Sequence, residues 1–332
     1  MRTRTFLMGG LFLAAGLLAP RPAAAGTELK FADALPKTFS YYPGMLEFKK
    51  IVEERTKGGL AINLFTDGVL GDQKTLLEST KVGAVDISVV ASQISQQLVP
   101  EHGLFGLPFV WLKDEDFLKF LQGPIAAEMG KKMEPHGLKV LSFADGGVLA
   151  VLNSKRPVRN PEDMKGLKLR VMQDPMQVDM IKAMGAIPVP MGTGELYQAI
   201  QQGQIDGNAT SPQLLYALKN HEVAKNLTFT RHGRASGVVI MNLRRWNALP
   251  ADQKAALEEG SKGFFRADAE FYASKPGTNN AEVVETMRKG GVAVSEPDID
   301  AFRKSTRPVV DAFKARLKSP LVDQALKEAG IN

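Results

Sequence analysis

Arg170 is the residue whose type and position most directly indicate chemistry. Residues 167–171 (LKLRV) alternate apolar and polar side chains as a half-buried strand does, and Arg170 lies near the end of this segment. Asp174 and Pro175 follow, and these residue types favour the N-cap and the first turn of a helix. The helix N-terminus and the guanidinium would then favour an anion at one place, since arginine offers a planar fork to a carboxylate. An ion-paired or solvated arginine at a strand edge is the alternative.

Enzyme and metal chemistry find little support in the sequence. The chain contains no cysteine, which excludes disulfides, thiolate catalysis and cysteine-bound zinc. It has neither a GxSxG motif nor a P-loop. The four histidines lack the spacing of a helical metal site and are expected at the surface: His102, His136, His221 and His232. We therefore expect neither a metal nor a cofactor.

Strand and helix patterns alternate along the chain, which indicates parallel strands and open α/β sheets. In the first part we predict strands at residues 29–32, 60–65 and 85–90, and helices at residues 43–56 and 72–83. Further along we predict strands at residues 138–143, 148–152, 167–171, 187–190, 204–207 and 237–242, and helices at residues 175–184, 195–202 and 251–273. Ligands bind such sheets at the carboxyl ends of the strands, where Arg170 lies.

The length of 332 residues and the repeated pattern predict two domains. The helix predicted at residues 251–273 would span roughly 35 Å, enough to brace both domains. We expect one lobe of residues 26–146 and 236–276, a second lobe of residues 147–235 and 277–332, and a hinged central cleft between them.

Residues 1–25 have the pattern of a secretory signal peptide. Arg2 and Arg4 precede an apolar run, and three alanines end the segment. The apolar run is shorter than the roughly 20 residues that cross a bilayer. The segment carries three arginines and no acid, so its removal lowers the formal charge from +6 to +3. We expect an exported, periplasmic protein that binds no nucleic acid.

Several motifs, in one order along the chain, resemble the periplasmic solute-binding subunit of TRAP transporters, the DctP-like family. These motifs are VLGDQKTLLESTKVGAVDISVV, VPEHGLFGLPFVW, NSKRPVRNPEDMKGLKLRV, KAMGAIPVPM and GELYQAIQQGQIDG. The resemblance extends from about residue 29 through RRWNALPADQKAAL, nearly the whole chain after the signal segment. It implies an α/β, two-lobed periplasmic binding protein fold with a hinge, a central cleft and a long helix bracing both lobes.

The resemblance also implies a ligand site. In the family, the arginine of the LRV motif binds the substrate carboxylate, and this role maps onto Arg170. By the same analogy, polar residues of the second lobe line the cleft: Gln173, Thr193, Asn208, Thr210 and Ser211. We expect the first lobe to contribute residues from a loop, a helix start and a strand end: Tyr41, Tyr42, Gln73, Ala91 and Ser92. Phe109 and Trp111 are alternatives, although core positions suit them better.

Two departures from the family pattern concern the ligand. The segment DGNATSP is one residue longer than the common DGxENP, so either Thr210 or Ser211 takes the place of the usual asparagine. A second arginine found in several members is replaced by Leu149 or a near neighbour, which removes a cation and frees apolar surface. The loss disfavours a second carboxylate, because an unpaired buried charge is costly. Three residues are candidates to restore that charge: Arg231, His232 and Arg234. The alternative is that they are solvated residues of the hinge.

We therefore expect the lobes to close around a small organic acid and deliver it to a TRAP-type membrane permease. The favoured ligand is a monocarboxylate, a 2-oxo or 2-hydroxy acid, with an apolar or aromatic body. A dicarboxylate or a sugar acid is the alternative. A ligand sensor for a membrane receptor is another function that the sequence leaves open, and a periplasmic lyase is less favoured.

Overall fold

A computed structural model describes residues 26–273 and 280–331 of the chain. These residues form two α/β lobes, each built around its own sheet. The predicted signal peptide, residues 1–25, lies outside the described residues. Among the described residues, no helix combines the length and the apolar character that a membrane span requires.

The first lobe contains a five-stranded sheet in the order β2-β1-β3-β10-β4. Its elements, numbered in chain order, are β1 Thr27–Asp33, α1 Tyr41–Arg55, β2 Leu60–Phe65, α2 Gln73–Val82, β3 Ile87–Ala91, α3 Ser92–Ser95, α4 Asp114–Leu121, α5 Pro124–Lys131, β4 Leu138–Val148, β10 Arg234–Asn242, α10 Leu243–Ala248 and α11 Ala251–Ala273. Two 3-10 turns, Pro100–Gly106 and Glu134–His136, complete it.

The second lobe contains a six-stranded sheet in the order β11-β9-β5-β8-β6-β7. The remaining elements are β5 Ala150–Asn153, a 3-10 turn at Pro161–Met164, β6 Lys168–Val171, α6 Pro175–Ala183, β7 Ile187–Pro190, α7 Leu196–Gln201, β8 Gly207–Thr210, α8 Pro212–Ala217, α9 Asn220–Val223, β9 Asn226–Thr228, α12 Asn280–Lys289, β11 Ala293–Ser295, α13 Ile299–Leu317 and α14 Pro320–Glu328.

Both sheets are mixed, whereas the alternation of strands and helices predicted parallel pairing. In the first lobe β1 runs parallel to β2 and β3, but β10 runs antiparallel to β3 and β4. In the second lobe β5 is antiparallel to β8 and β9. The antiparallel strands β4, β5 and β10 flank two of the points at which the chain crosses between the lobes.

Helix α2 forms where the sequence provides a start and a stop. The side chain of Asp72 accepts a hydrogen bond from the Thr75 N–H at 2.8 Å, which satisfies one free donor of the first turn. Gly83 ends the helix in the left-handed conformation, φ +86°, which glycine adopts without steric cost. Leu76 and Leu77 are buried against the sheet, as their spacing predicts.

The strand predicted at residues 204–207 is wrong by three residues, since β8 is Gly207–Thr210. Gly203 adopts the left-handed conformation, φ +70°, and turns the chain before the strand begins. Ile205 is fully buried although it precedes the strand, and its apolar side chain led to the prediction of a strand at residues 204–207. Asp206 then donates its N–H to Lys168 O at 2.7 Å and leads the chain into the sheet beside β6.

Two long helices, α11 and α13, pack over the lobes, and α13 joins the cores of both. Helix α11, with the predicted bounds, packs along α1 and over β4, the strand that leads into the second lobe. Helix α13 reaches both cores, because Phe302 lies in the second-lobe core and Phe313 in the first. The expected division placed residues 277–332 in the second lobe, but α14 packs against α5 and the turn at Pro100–Gly106 of the first lobe. Apolar residues at the end of the chain thus bury surface that the first lobe would otherwise expose.

Two of the histidines expected at the surface, His102 and His232, are fully buried. His102 Nδ1 bonds to Ser95 Oγ at 2.7 Å, and its Nε2 bonds to Met129 O at 3.2 Å. His232 Nδ1 bonds to Thr230 Oγ1 at 2.6 Å. A hydroxyl group thus satisfies Nδ1 of each histidine, whereas Nε2 of His232 is buried without a hydrogen-bond partner in the described part of the chain.

Candidate functional site

A pocket lies between the start of α2 in the first lobe and the ends of β6 and β7 in the second. About 380 Å³ of space lies between these elements, and part of it is open to solvent. Its lining residues are Asp72, Gln73, Lys74, Ile94, Arg170, Met172, Gln173, Met191, Gly192 and Thr193. Both lobes contribute, so a ligand here contacts the two bodies at once.

Arg170 forms the second-lobe wall of this pocket. Its side chain is only 4% exposed, and its Nε donates to the Met191 carbonyl at 2.9 Å. None of the ion pairs in the described part of the chain includes Arg170. Burial alone lowers its pKa to about 10, because no carboxylate nearby favours the charged form. Arg170 is thus a buried cation that lacks a counter-ion.

The register of the sheet places Asn208 beside Arg170. Strand β6 lies between β7 and β8, and Arg170 pairs with Val189 on one side and Asn208 on the other. Asn208 is fully buried, and its Nδ2 donates to Asn220 Oδ1 at 2.9 Å. Its Oδ1 has no hydrogen-bond partner. Sheet pairing therefore brings a cation and an amide oxygen together from segments far apart in the chain.

The loop after β6 carries Met172 and Gln173 into the pocket. Asp174 caps α6 as predicted, since its side chain accepts hydrogen bonds from Met176 N and Gln177 N at 3.1 and 3.2 Å. Its own N–H donates to Met172 O at 2.7 Å, which closes a tight turn. These bonds fix the loop at both ends.

The first turn of α2 faces this loop from the first lobe. Gln73 Oε1 accepts the Ala91 N–H at 2.7 Å, so the side chain is held against the end of β3. A Cβ built on Gly192 would lie 3.9 Å from Asp72 Oδ2, which shows how closely the acid approaches the second lobe. Lys74 is exposed beside them. This wall therefore offers an acid, an amide and a cation.

Four of the residues expected to bind ligand line the pocket: Arg170, Gln173, Gln73 and Thr193. Five others do not line it. Asn208, Thr210 and Ser211 are buried along and just after β8, Ala91 holds Gln73, and Ser92 bonds to Ser236 Oγ at 2.5 Å.

The two tyrosines are placed elsewhere. Tyr41 is buried in the first-lobe core, 4.9 Å from the ring of Phe39 in an edge-to-face contact. Tyr42 is half-buried, and Lys37 Nζ lies 5.7 Å from its ring centroid. Tyr41 belongs to α1, whose apolar face covers the sheet, and this packing turns its ring away from the pocket.

Leu149 gives no apolar surface to the pocket, contrary to expectation. It is 2% exposed and belongs to the second-lobe core. Its N–H donates to Gly233 O at 2.9 Å, which joins the crossing after β4 to the crossing before β10. The position at the crossing, covered from both lobes, buries the side chain.

None of the three candidates for a second cation lines the pocket. Arg231 is exposed, and burial lowers the pKa of His232 to about 3, which leaves its ring neutral. Arg234 is ion-paired with Asp114 and Asp145. The expectation of solvated hinge residues is therefore wrong for His232 and Arg234.

The sequence reasoning missed Lys74, although its position next to Gln73 in the first turn of α2 could have indicated it.

The chain matches the family model described as bacterial extracellular solute-binding protein, family 7 (DctP), over residues 31–316. An uncharacterized protein of Haemophilus influenzae is 32% identical over 326 residues, 98% of this chain and 96% of that protein. The 2,3-diketo-L-gulonate-binding periplasmic protein of Escherichia coli is 28% identical over 293 residues, 88% of each chain.

Solved structures show the same architecture. A TRAP periplasmic solute-binding protein from Sulfitobacter sp. NAS-14.1 with bound β-D-galacturonate is 27% identical, with a TM-score of 0.84 over 91% of this chain and 99% of that one. A TRAP periplasmic solute-binding protein from Bordetella bronchiseptica, with density assigned to pantoate, is 28% identical, with a TM-score of 0.85 over the same shares.

Proposed function

The chain belongs to the DctP family of bacterial extracellular solute-binding proteins, and we propose that Arg170 anchors the carboxylate of a hydroxylated organic acid. Members of this family are the periplasmic solute-binding subunits of TRAP transporters, so a small acid and membrane permease subunits are the partners of the chain. The family and its structural neighbours are binding proteins rather than enzymes.

The observation that carries the proposal is the isolated charge of Arg170. A buried cation without a partner is unfavourable, because the interior solvates charge poorly. A ligand carboxylate would supply the missing counter-ion. Its two oxygens would accept hydrogen bonds from the two terminal guanidinium nitrogens in a bidentate pair. The Nε is already held by Met191 O at 2.9 Å, so the fork is oriented before the ligand arrives.

The rest of the pocket supports a ligand with one carboxylate and several hydroxyl groups. Gln73, Gln173 and Thr193 can both donate and accept hydrogen bonds. Asp72 accepts bonds from hydroxyl groups and repels a second carboxylate, while the exposed Lys74 offsets that repulsion only weakly because solvent screens it. We therefore favour a hydroxylated monocarboxylate, which includes 2-hydroxy acids and sugar acids.

The aromatic body considered from the sequence has little support. None of the lining residues described is aromatic, and the apolar contacts come from Ile94, Met172 and Met191. The galacturonate and pantoate in the neighbouring structures each carry one carboxylate and hydroxyl groups. They support a polar rather than an aromatic ligand. A dicarboxylate remains the second candidate, favoured only by Lys74.

Closure around the ligand follows from the division of the pocket between the lobes. Arg170 lies on the second lobe and α2 on the first. An acid bound to Arg170 can bond to Gln173 and Thr193 of the same lobe, but it gains the hydrogen bonds of Asp72 and Gln73 only when α2 approaches. The exclusion of water then strengthens the ion pair. The closed form would be the one presented to the permease. A membrane receptor that reads the same form would make the protein a sensor instead.

A calorimetric titration of the mature protein with single acids tests the proposal. The panel contains D-galacturonate, D-glucuronate and pantoate as hydroxylated monocarboxylates, succinate as a dicarboxylate and benzoate as an aromatic acid. We expect binding by at least one of the first three and its loss in Arg170→Ala. Arg231→Ala removes an exposed arginine outside the pocket and is the matched control. Preference for succinate would overturn the ligand class, and unchanged binding by Arg170→Ala would overturn the anchor.

A further inference from the structure

A hydrogen bond beside the pocket joins the first lobe to the loop that carries Gln173. The Nε2 of Gln96 donates to Oδ1 of Asp174, a residue 78 positions further along the chain. Gln96 directly follows α3, whose Ile94 lines the pocket, whereas Asp174 belongs to the second lobe. We propose that Gln96 is a positioning residue that holds the loop at residues 172–174 in its ligand-binding geometry. The inference rests on the proposed function of this site.

Asp174 is the residue through which Gln96 would act. Its carboxylate accepts the N–H groups of Met176 and Gln177, the first free donors of α6. Gln177 returns a bond to the loop, since its Oε1 accepts the Met172 N–H at 3.1 Å. A shift of Asp174 therefore moves both the helix start and the loop that presents Met172 and Gln173 to the pocket.

The surroundings of Gln96 restrict its side chain. A Cβ built on Gly103 would lie 2.5 Å from Gln96 Oε1 and 2.7 Å from a ring carbon of Phe313. The amide thus fits in a space that only glycine at position 103 leaves open. Asp174 is itself 2% exposed. The pair is therefore a packed contact between the lobes rather than a chance meeting of two surface side chains.

A neutral amide suits this position because Asp174 already carries a charge that burial disfavours. Burial raises the pKa of Asp174 to about 6, although the N–H groups of Met176 and Gln177 favour the carboxylate. Two charged groups also face it: Arg316 of α13 favours the carboxylate, and Asp179 of α6 disfavours it. A carboxyl group at position 96 would face Asp174 directly, and the contact would then form only when the two acids share a proton.

The variant Gln96→Glu uses this property as a test, with Gln97→Glu as the matched control. Gln97 is exposed and adjacent, so the control adds the same charge without facing Asp174. Hydrogen exchange of the ligand-free protein reports on the amides of Met176 and Gln177. At pH 8 we expect these amides to exchange about tenfold faster in Gln96→Glu than in the control. At pH 5 the shared proton restores the bond, and the two variants should agree within about twofold.

Calorimetry with D-galacturonate supplies the second readout. We expect Gln96→Glu to bind about tenfold more weakly than the control at pH 8 and to recover at pH 5. Gln96→Ala keeps the test possible if Gln96→Glu does not fold. In Gln96→Ala the amides of Met176 and Gln177 should lose protection from hydrogen exchange at both pH values. Unchanged exchange at Met176 and Gln177 would overturn the positioning role. Faster exchange in a protein that binds none of the acids would instead support that role and overturn the proposed function.

Discussion

Arg234 and Asp145 form a buried ion pair where the chain passes between the two lobes. Nη2 lies 2.5 Å from Oδ2, and the two side chains are 2% and 3% exposed. Nη1 bonds to Asp114 at 2.6 Å, and the guanidinium carbon lies 4.7 Å from the centre of the Phe117 ring. The β4–β10 pairing shifts register at this point. One arginine thus joins β4, β10 and α4 on the first-lobe side of the hinge.

Removal of Asp145 should be strongly destabilising. In Asp145→Ala, Arg234 would keep only Asp114, whose side chain is 72% exposed. Loss of one partner of a buried pair costs about 3–5 kcal/mol, because the other charge stays buried. Urea unfolding measures this change. The matched control is Asp300→Ala, which breaks an exposed pair with Arg303 and should cost at most about 1 kcal/mol. Equal losses in the two variants would contradict the structural role of the pair.

Replacement of Arg170 should separate stability from binding. Arg170→Met keeps much of the side-chain volume but removes a buried charge that lacks a counter-ion. We expect the free energy of unfolding of the ligand-free variant to exceed that of the parent by about 1 kcal/mol, a net value that includes the loss of the hydrogen bond to Met191 O. We expect the variant to bind no acid. Urea unfolding and calorimetry check the two parts. Arg231→Met is the control, and a variant less stable than this control would argue against the cost assigned to the charge.

Acid should destabilise the fold partly through His232. Burial lowers its pKa to about 3 in the folded protein, from an ordinary value of 6.5. Between these values the unfolded chain binds the proton and the folded protein does not, so stability falls as the pH falls below 6.5. In His232→Asn, the loss of stability from pH 7 to pH 4.5 should be smaller by about 2–3 kcal/mol. Urea unfolding at both pH values measures it, and parallel profiles would exclude this contribution.

A side chain at Gly207 should disrupt the sheet beneath the pocket. A Cβ there would lie 1.9 Å from the Leu152 carbonyl oxygen, so β5 and β8 could not keep their pairing. We expect Gly207→Ala to destabilise the protein by roughly 3 kcal/mol or more and to weaken acid binding, because β8 holds Asn208 beside Arg170. Gly194→Ala meets nothing within 4 Å and serves as the control in thermal unfolding and titration. Equal melting temperatures would contradict the clash.

The sequence by itself determined the local features of the site. Apolar alternation identified the strand that carries Arg170, and Asp174 followed by Pro175 identified the start of α6. The bounds of α11 were predicted correctly at Ala251–Ala273. Such features depend on residues within a few positions of each other, where periodicity and capping act. The motif order further indicated the family that the chain matches.

Only the tertiary structure decided which distant residues meet. Arg234 pairs with Asp145, 89 positions away, and the apolar Leu149 enters the second-lobe core instead of the pocket. Lys74 reaches the pocket, and Gln96 bonds to Asp174 of the other lobe. No local pattern specifies these contacts, because sheet pairing and the joining of the lobes set the distance between segments. The sequence could place a cation at a strand end, but whether it had a counter-ion depended on the packing of both lobes around it.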